Sequence, residues 1–392
     1  MIDSKMAHPR PSTFASIETV RDANVARLKY AAEAGLTVIG TYCTYCPKEL
    51  ILAVGALQVG LCGTRERPIA AAEQDLPRNL CPLVKSSYGF AVSDTCPFFR
   101  ASDMVIGETT CDGKKKMFEL IKAKGLKEIY VMHLPQVPDT AASLDLWTKE
   151  LFRLKEFLEE RYQIPITDEK LRNAIRTTNE QDRVRKRLFD LNQRCPAVVS
   201  GLDLLTVSWQ MGFQLDPLES IRLIRELGDE LEASAADGYS VGSRNTKRVL
   251  LTGTPVGIGS EKVVRLVEES GALVVAMENC SGYKAVDRQI DESDMSDPLV
   301  LLARKYMQIP CSVWTPNKGR FDLLRRMARD FKVGGVIDLD WQACHTYNIE
   351  SYFVSDLVRK ELKLPFLQLE TDYSESDIET LRVRIEAFLE TV

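Results

Sequence analysis

The stretch TVIGTYCTYCPKELILAVGALQVGLC, residues 37–62, joins two short apolar segments through one segment of helical character. Residues 37–43 and 57–62 are predicted strands, and residues 47–56 are a predicted helix that has proline in its first turn. A strand, a helix and a second strand in this order are typical of a parallel sheet with helices on its faces. The stretch therefore predicts an α/β fold.

The same alternation continues towards residue 140, where DMVIGE and KEIYVMHLP are further predicted strands. It returns at residue 247 with four more predicted strands, KRVLLTG, GALVVAME, VGGVIDLD and LPFLQLETD. The sequence between them has apolar residues at three- and four-residue spacing and predicts helices alone. We therefore expect an N-terminal α/β domain (1–140), a helical segment (141–245) and a C-terminal α/β domain (246–392). The expected fold class is two parallel-sheet domains of Rossmann or flavodoxin type with a helical insertion.

Composition excludes several functional classes. The chain carries 51 basic and 56 acidic residues, a formal charge of −5, whereas a dedicated nucleic-acid-binding protein shows a basic face. We interpret the basic stretches 114–116 and 183–187 as solvated helix faces. The first residues contain no apolar signal segment, and no stretch approaches the roughly 18 apolar residues of a membrane span. The sequence thus predicts a cytoplasmic protein without a membrane anchor, whose thiols stay reduced.

Ten cysteines stand against only three histidines. Half of these cysteines lie at or shortly beyond the carboxyl ends of predicted strands: Cys43, Cys62, Cys111, Cys280 and Cys344. In parallel α/β sheets ligands bind at that edge, and a nearby helix N-terminus stabilises a thiolate. Reduced cysteines in such places are inert core residues, redox thiols or metal ligands.

The spacing of the cysteines bears on which metal is expected. Only one close pair exists, Cys43 and Cys46, whereas structural zinc sites favour two such pairs. The same pair has the spacing of a thioredoxin-type redox motif, but no other redox signal accompanies it. The compact cysteine run of a ferredoxin is absent. Dispersed cysteines at separate strand ends favour an iron–sulfur cluster held between the two domains.

Several segments make the chain resemble a known family. The most specific are NLCPLVKSSYG (79–89) and ETTCDGKKK (108–116), and others are CTYCPKELILAVGALQVGLCG, CPFF, ENCSG, QACHTYNIES and LETDYS. In this order they resemble the 2-hydroxyacyl-CoA dehydratase / benzoyl-CoA reductase family, and more narrowly its double-cubane cluster protein branch. The resemblance implies two α/β domains with an iron–sulfur cluster in the cleft between them.

The resemblance also implies a set of ligands. Ordinary family members hold one [4Fe–4S] cluster on three cysteines, which match Cys81, Cys111 and Cys344. The double-cubane branch holds two [4Fe–4S] cubanes joined by a bridging sulfide, and the added ligands expected here are Cys43, Cys96 and Cys280. We keep Cys62 and Cys311 in reserve and leave out Cys46 and Cys195. Six of ten cysteines would then serve two cubanes, whereas a single cluster would leave seven unexplained.

The expected catalytic residues are His345 and Glu49. His345 stands beside Cys344 and suits proton donation near neutral pH, unless it only hydrogen-bonds a cluster sulfide or the backbone. Glu49 lies close in sequence to the first cysteines. For Glu108 and Asp112 a helix-capping role is at least as good an interpretation as chemistry.

The resemblance further implies a partner and a reaction type. Family members need a separate dimeric ATPase activator with its own iron–sulfur cluster, and the present chain has no nucleotide motif of its own. We expect an oxidoreductase that accepts low-potential electrons from such an activator under anaerobic conditions, reduces a small molecule and forms a homodimer. The alternatives are a 2-hydroxyacyl-CoA dehydratase subunit, a lyase with one cluster, and a non-catalytic electron carrier.

Overall fold

The structure is a computed structural model that describes residues 9–31 and 34–392. The first residues of the expected N-terminal domain, in which no signal segment is predicted, thus lie partly outside the described residues. The first sheet is formed by β1 (Val38–Thr41), β2 (Leu57–Gly60), β3 (Met104–Glu108) and β4 (Ile129–Met132). Its strands are all parallel and lie in the order β2-β1-β3-β4.

The second sheet repeats this arrangement. It is formed by β5 (Lys247–Gly253), β6 (Ala272–Met277), β7 (Gly335–Trp341) and β8 (Phe366–Thr371). Its strands are also all parallel, in the order β6-β5-β7-β8. Because the second strand of each sheet lies outside the first, and the third and fourth follow on the other side, the two sheets have the same topology. All eight predicted strands are present, and the predicted fold class, two parallel-sheet α/β units, is confirmed.

Helices cover the first sheet and the connections within it. They are α1 (Thr13–Glu18), α2 (Val20–Ala31), α3 (Lys48–Ala53), α4 (Ile69–Ala72), α5 (Pro82–Val92), α6 (Pro97–Ala101) and α7 (Asp112–Ala123). Proline opens α5 and α6, where its missing N–H removes no helical hydrogen bond.

Four helices connect the two sheets. They are α8 (Ala141–Tyr162), α9 (Asp168–Asp190), α10 (Gly201–Met211) and α11 (Pro217–Ala236). Each begins after a residue whose side-chain oxygen accepts a hydrogen bond from the first turn: Thr140, Thr167, Ser200 and Asp216. This N-capping explains why all four helices begin where they do. Across the described ranges, no helix combines the length and apolar character that a bilayer crossing requires.

Five helices accompany the second sheet: α12 (Lys262–Glu269), α13 (Pro298–Met307), α14 (Lys318–Asp330), α15 (His345–Asp356) and α16 (Ile378–Leu389). The hydrophobic cores cross the boundaries expected from sequence. Phe14 and Ile17 of α1 belong to the core around the second sheet, although they stand at the start of the chain. Leu302 and Trp314 belong to the core around the first sheet, where α13 packs against α8. The division of the chain at residues 140 and 245 stays a prediction. Residues from one predicted domain pack in the hydrophobic core of another.

One buried carboxylic acid predicts how the stability of this fold depends on pH. Glu268 of α12 accepts hydrogen bonds from the backbone N–H of Gly201 (2.6 Å) and of Leu202 (3.4 Å). Burial raises its pKa from 4.5 to about 7. The neutral acid is therefore favoured in the folded state. The contribution of Glu268 to the free energy of unfolding is complete below pH 4.5 and is lost as the pH rises through 7.

The size of that contribution is about 3 kcal/mol, since one pKa unit corresponds to about 1.4 kcal/mol. Glu268→Gln removes the titrating group and keeps an acceptor oxygen at the same place. We expect the difference in free energy of unfolding between the variant and the wild type to change with pH between 4.5 and 7. Denaturant titrations at several pH values measure it, and parallel profiles for the two proteins would contradict the assignment.

Candidate functional site

The carboxyl edges of both sheets carry cysteines. Cys43 and Cys62 follow the ends of β1 and β2, and Cys111 follows β3. In the second sheet Cys280 follows β6 and Cys344 follows β7. The five positions expected from sequence to lie beyond strand ends therefore do so. Parallel strands end at the same edge, so each sheet gathers its own cysteines there.

A cavity of about 400 Å³ lies between the two edges and collects cysteines from both units. Eight of the ten cysteines line it: Cys43, Cys46, Cys62, Cys81, Cys111, Cys280, Cys311 and Cys344. Cys96 and Cys195 are the two that do not, and all ten are free thiols. The cavity thus brings together five of the six expected ligands and both reserves.

One group of cavity cysteines consists of Cys81, Cys111 and Cys344. Each stands at the N-cap of a helix, respectively α5, α7 and α15, where the positive end of the helix dipole favours a thiolate. A hydrogen bond with Cys344 lowers the pKa of the Cys81 thiol, and the same bond raises the pKa of Cys344. Burial raises the pKa of Cys111, and the nearby Cys344 adds to that rise. Two members come from the first unit and one from the second.

A second group consists of Cys43, Cys280 and Cys311. Burial raises the pKa of Cys43 well above that of an ordinary thiol, and Cys280 and Cys311 both add to the rise. Burial likewise raises the pKa of Cys280 to about 11, while Lys284 opposes the shift. Here one member comes from the first unit and two from the second. The groups adjoin, because Cys311 also acts on Cys111 of the other group.

Two further cysteines, Cys62 and Cys46, line the same cavity, and Cys62 also acts on Cys280. Cys62 donates a hydrogen bond from its thiol to the carbonyl oxygen of Tyr42, 2.7 Å away. Cys46 is buried, and burial raises its pKa well above that of a free thiol. Burial raises the pKa of both thiols, as it does for Cys43 and Cys280.

Two buried lysines adjoin the cavity cysteines. Lys114 of α7 donates to the carbonyl oxygen of Tyr42 (3.1 Å), and the charges that act on it are those of Cys43, Cys62, Glu108 and Cys111. Its burial corrects the interpretation of residues 114–116 as a solvated face: Lys114 is only 7% exposed. The sequence did contain the signal, since residues three apart share one side of a helix turn and Lys114 follows Cys111 at that spacing.

Lys284 lies beside Cys280 and Cys311 of the second group. It is paired with Glu278 (3.1 Å) and donates to the hydroxyl of Tyr347 (2.9 Å). That hydroxyl lies 3.8 Å from the sulfur of Cys311. The sequence does not predict Lys284 or Tyr347 as site residues, because nothing in the local pattern brings residues 284, 311 and 347 together.

Glu108 lies at the end of β3 with both carboxyl oxygens buried and without a hydrogen-bond partner among the described residues. Burial raises its pKa to about 8, with Lys114 opposing the shift. Glu108 is not the cap of α7, since Cys111 stands at that position. The helix-cap interpretation of Glu108 is therefore wrong.

The structure places three expected site residues outside the cavity wall. Cys96 stands at the N-cap of α6, where its sulfur accepts a hydrogen bond from the Phe99 N–H, and it packs against the core around the first sheet. His345 is exposed at the first position of α15, beside Cys344 but not lining the cavity. Cys344, the neighbour of His345 in sequence, lines the cavity, but the side chain of His345 does not.

Glu49 is the third. It is fully buried in α3, where Thr178 (2.8 Å) and Tyr306 (2.7 Å) donate hydroxyl hydrogen bonds to it and Lys305 forms an ion pair at 3.2 Å. Burial alone would raise its pKa, but Lys305 and Lys48 hold it below the usual value. A carboxylate so fully partnered, and absent from the cavity wall, ties α3 to α9 and α13.

The arrangement of thiols is informative about the group it could hold. Within the described residues, no three His, Cys, Asp or Glu side chains converge on one point as ligands of a single metal ion do. Zinc needs such convergence, at about 2.3 Å from each sulfur. Thiols spread around a cavity, with buried ammonium groups beside them, fit instead a larger anionic group held from several sides.

Comparison with known proteins identifies the family of this chain. The model of the 2-hydroxyglutaryl-CoA dehydratase D-component family matches residues 43–392. YjiM of Escherichia coli (strain K12), provisionally named as a dehydratase subunit, is 42% identical over 382 residues, which cover 97% of this chain and 98% of that protein.

More distant relatives match over almost their whole length. The (R)-phenyllactyl-CoA dehydratase beta subunit of Clostridium sporogenes is 24% identical and covers 93% of this chain and 94% of its own. One of the subunits of the benzoyl-CoA reductase of Thauera aromatica is 21% identical, and the match covers 95% of each chain. The shared architecture is therefore that of an enzyme component, and the chain belongs to the 2-hydroxyglutaryl-CoA dehydratase D-component family.

Proposed function

We propose that this chain is the cluster-bearing component of an ATP-dependent reductase. It holds two [4Fe–4S] cubanes joined by a sulfide in the cavity between its two α/β units, and it reduces a small molecule there. The low-potential electrons come from a separate ATP-hydrolysing activator that carries its own iron–sulfur cluster. The observation that supports this proposal is the pair of three-cysteine groups, since two cubanes with three thiolate ligands each require six cysteines in two sets.

The proposed ligands of one cubane are Cys81, Cys111 and Cys344, and those of the other are Cys43, Cys280 and Cys311. Cys311 replaces Cys96 of the ligand set expected from sequence, because Cys311 lines the cavity and Cys96 does not. Each set draws on both units of the chain, so binding of the clusters fastens the two units together.

When bound, the clusters supply one-electron transfer at low potential. The residues of the chain supply positive charge and protons. Lys284 places an ammonium group beside Cys280 and Cys311, and Lys114 places one beside Cys43 and, less strongly, Cys111; both offset part of the negative charge of the thiolates and favour the reduced clusters. Tyr347, rather than the exposed His345, presents a proton towards the cavity: burial raises its pKa well above the usual value, so its hydroxyl stays protonated.

The second candidate function is a dehydratase subunit with one [4Fe–4S] cluster. The names of several relatives and the group Cys81, Cys111 and Cys344, the three positions of the single-cluster members, favour it. It leaves the second group, which is equally complete, without a purpose.

The amount of iron distinguishes the two candidates. After anaerobic purification of the full chain we expect about eight irons and about eight to nine acid-labile sulfides per chain, since two four-iron cubanes and a bridging sulfide are required. About four irons would support the dehydratase instead, and zinc or no metal would refute both. Reduction of a small substrate that depends on ATP and the activator supports a reductase; if the chain is only an electron carrier, the activator hydrolyses ATP and no reduced product forms.

A further inference from the structure

The helical segment forms the part of the cavity wall that the sheets do not. Gln181, Asp182 and Arg185 of α9 line it, together with Trp209 and Gln214 from α10 and the loop after it. Among the described residues, this wall contains no cysteine. A molecule bound between it and the cysteines would therefore meet the electron-transferring group on one side and α9 on the other.

The charges near this wall are almost balanced. Asp182 is paired with Lys48 and with Lys305, each at 3.0 Å. Lys305 is also paired with Glu49 at 3.2 Å. Two ammonium groups thus meet two carboxylates, and the set is neutral without any further charge.

Arg185 is a cation outside this neutral set. In the part of the chain that the structure describes, its guanidinium takes part in no ion pair, and the nearby Asp182 already serves two lysines. Burial lowers the pKa of Arg185, with Asp182 opposing the shift, and the group still stays cationic near neutral pH. A guanidinium held in a cavity wall without an anion is costly, and an anionic ligand would offset that cost.

The cysteines do not account for this cation. They act on Lys114 together with Glu108, and on Lys284 together with Glu278, whereas the one charged group that acts on Arg185 is Asp182. Arg185 lines the cavity on its α9 side, and no cysteine is among the charges that act on it.

We propose that Arg185 binds the anionic group of the substrate, and that this substrate is a small carboxylic acid anion. A guanidinium offers two parallel N–H donors that match the two oxygens of a carboxylate. The inference rests on the proposed function, which places the reaction at the cysteine side of the cavity. The proposed binding site consists of the chain's own residues.

The test is equilibrium binding of propionate to the cluster-loaded full chain by isothermal titration calorimetry. Propionamide, which has nearly the same shape and no charge, is the ligand control. The variants are Arg185→Gln, Arg185→Lys and Arg176→Gln; the last removes one positive charge from the exposed side of the same helix. Thermal unfolding establishes that each variant is folded.

We expect wild type to bind propionate about tenfold or more tightly than propionamide, because a hydrogen bond to a charged group is worth that much. Arg185→Gln should lose this preference, Arg185→Lys should keep part of it, and Arg176→Gln should equal wild type. If Arg185→Gln does not fold, the affinities of the two ligands for wild type and for Arg185→Lys still test whether Arg185 binds the carboxylate.

Equal affinity for propionate and propionamide would overturn the proposal, and so would tight propionate binding that survives Arg185→Gln. Coenzyme A without an acyl group is titrated as well: affinity for it that depends on Arg185, with no binding of propionate, would assign the arginine to a phosphate and also overturn the proposal. Failure of the proposed function shows instead in the iron content or the ATP dependence, which these titrations do not measure.

Discussion

Cys311→Ala is expected to reduce the iron content from about eight to about four per chain, since a cubane is lost when one of its three thiolate ligands is removed. Cys311 lines the cavity, is buried, and acts electrostatically on Cys43 and Cys280. On the proposed ligand sets, its removal leaves two sulfurs for the second cubane and does not affect the first. Iron and acid-labile sulfide per chain, measured after anaerobic purification, report the loss.

Cys96→Ala is the matched control, because it removes a thiol that also belongs to the ligand set expected from sequence but caps α6 outside the cavity. We expect its iron content to equal that of wild type. The opposite pattern, iron lost in Cys96→Ala and kept in Cys311→Ala, would restore the ligand set inferred from sequence and refute the one proposed from the structure.

Arg320→Ala is expected to destabilise the fold by about 3–5 kcal/mol, the usual effect of removing one partner from a buried ion pair. Arg320 of α14 is fully buried and meets three carboxylates, Glu350 at 2.5 Å, Glu278 at 3.3 Å and Asp338 at 3.4 Å. Without it these carboxylates repel one another inside the protein. Denaturant unfolding of the full chain measures the change in free energy.

The same change should also affect the site. Glu278, once freed from Arg320, keeps Lys284 as its only buried cation among the described residues, and Lys284 connects through Tyr347 to Cys311. We therefore expect lower iron occupancy at temperatures where the variant is still folded.

Arg325→Ala, on the same helix, is the control. Arg325 forms exposed ion pairs with Asp322 and Glu361, and pairs of that kind contribute less than about 1 kcal/mol. Equal destabilisation by the two substitutions would show that the buried network does not hold the second unit together.

Local patterns predicted the strands and the edge at which the chemistry is found. Apolar segments bounded by helical patterns predicted all eight strands. From those strands the sequence also predicted that Cys111 and Cys344 lie just beyond strand ends. These features depend on residues near one another in sequence, whose periodicity is visible without a structure.

The same patterns could not identify the side chains that face the cavity. Glu49 and His345 stand next to candidate ligands in sequence, yet α3 buries the first in an ion-pair network and α15 leaves the second exposed. The local pattern predicts a surface charge at Lys114, and the structure buries it beside the thiols. A side chain's direction depends on what packs against its helix, and those partners come from distant segments.

The sequence by itself therefore determined the two parallel-sheet units, the family, and the presence of more cysteines than one cubane requires. The tertiary structure decided that eight of the ten cysteines, drawn from both units, line one cavity, and that Cys311 is among them whereas Cys96 is not. The reason is physical: spacing along the chain encodes strands and helices, whereas the meeting of two loops depends on packing between units that lie far apart in sequence.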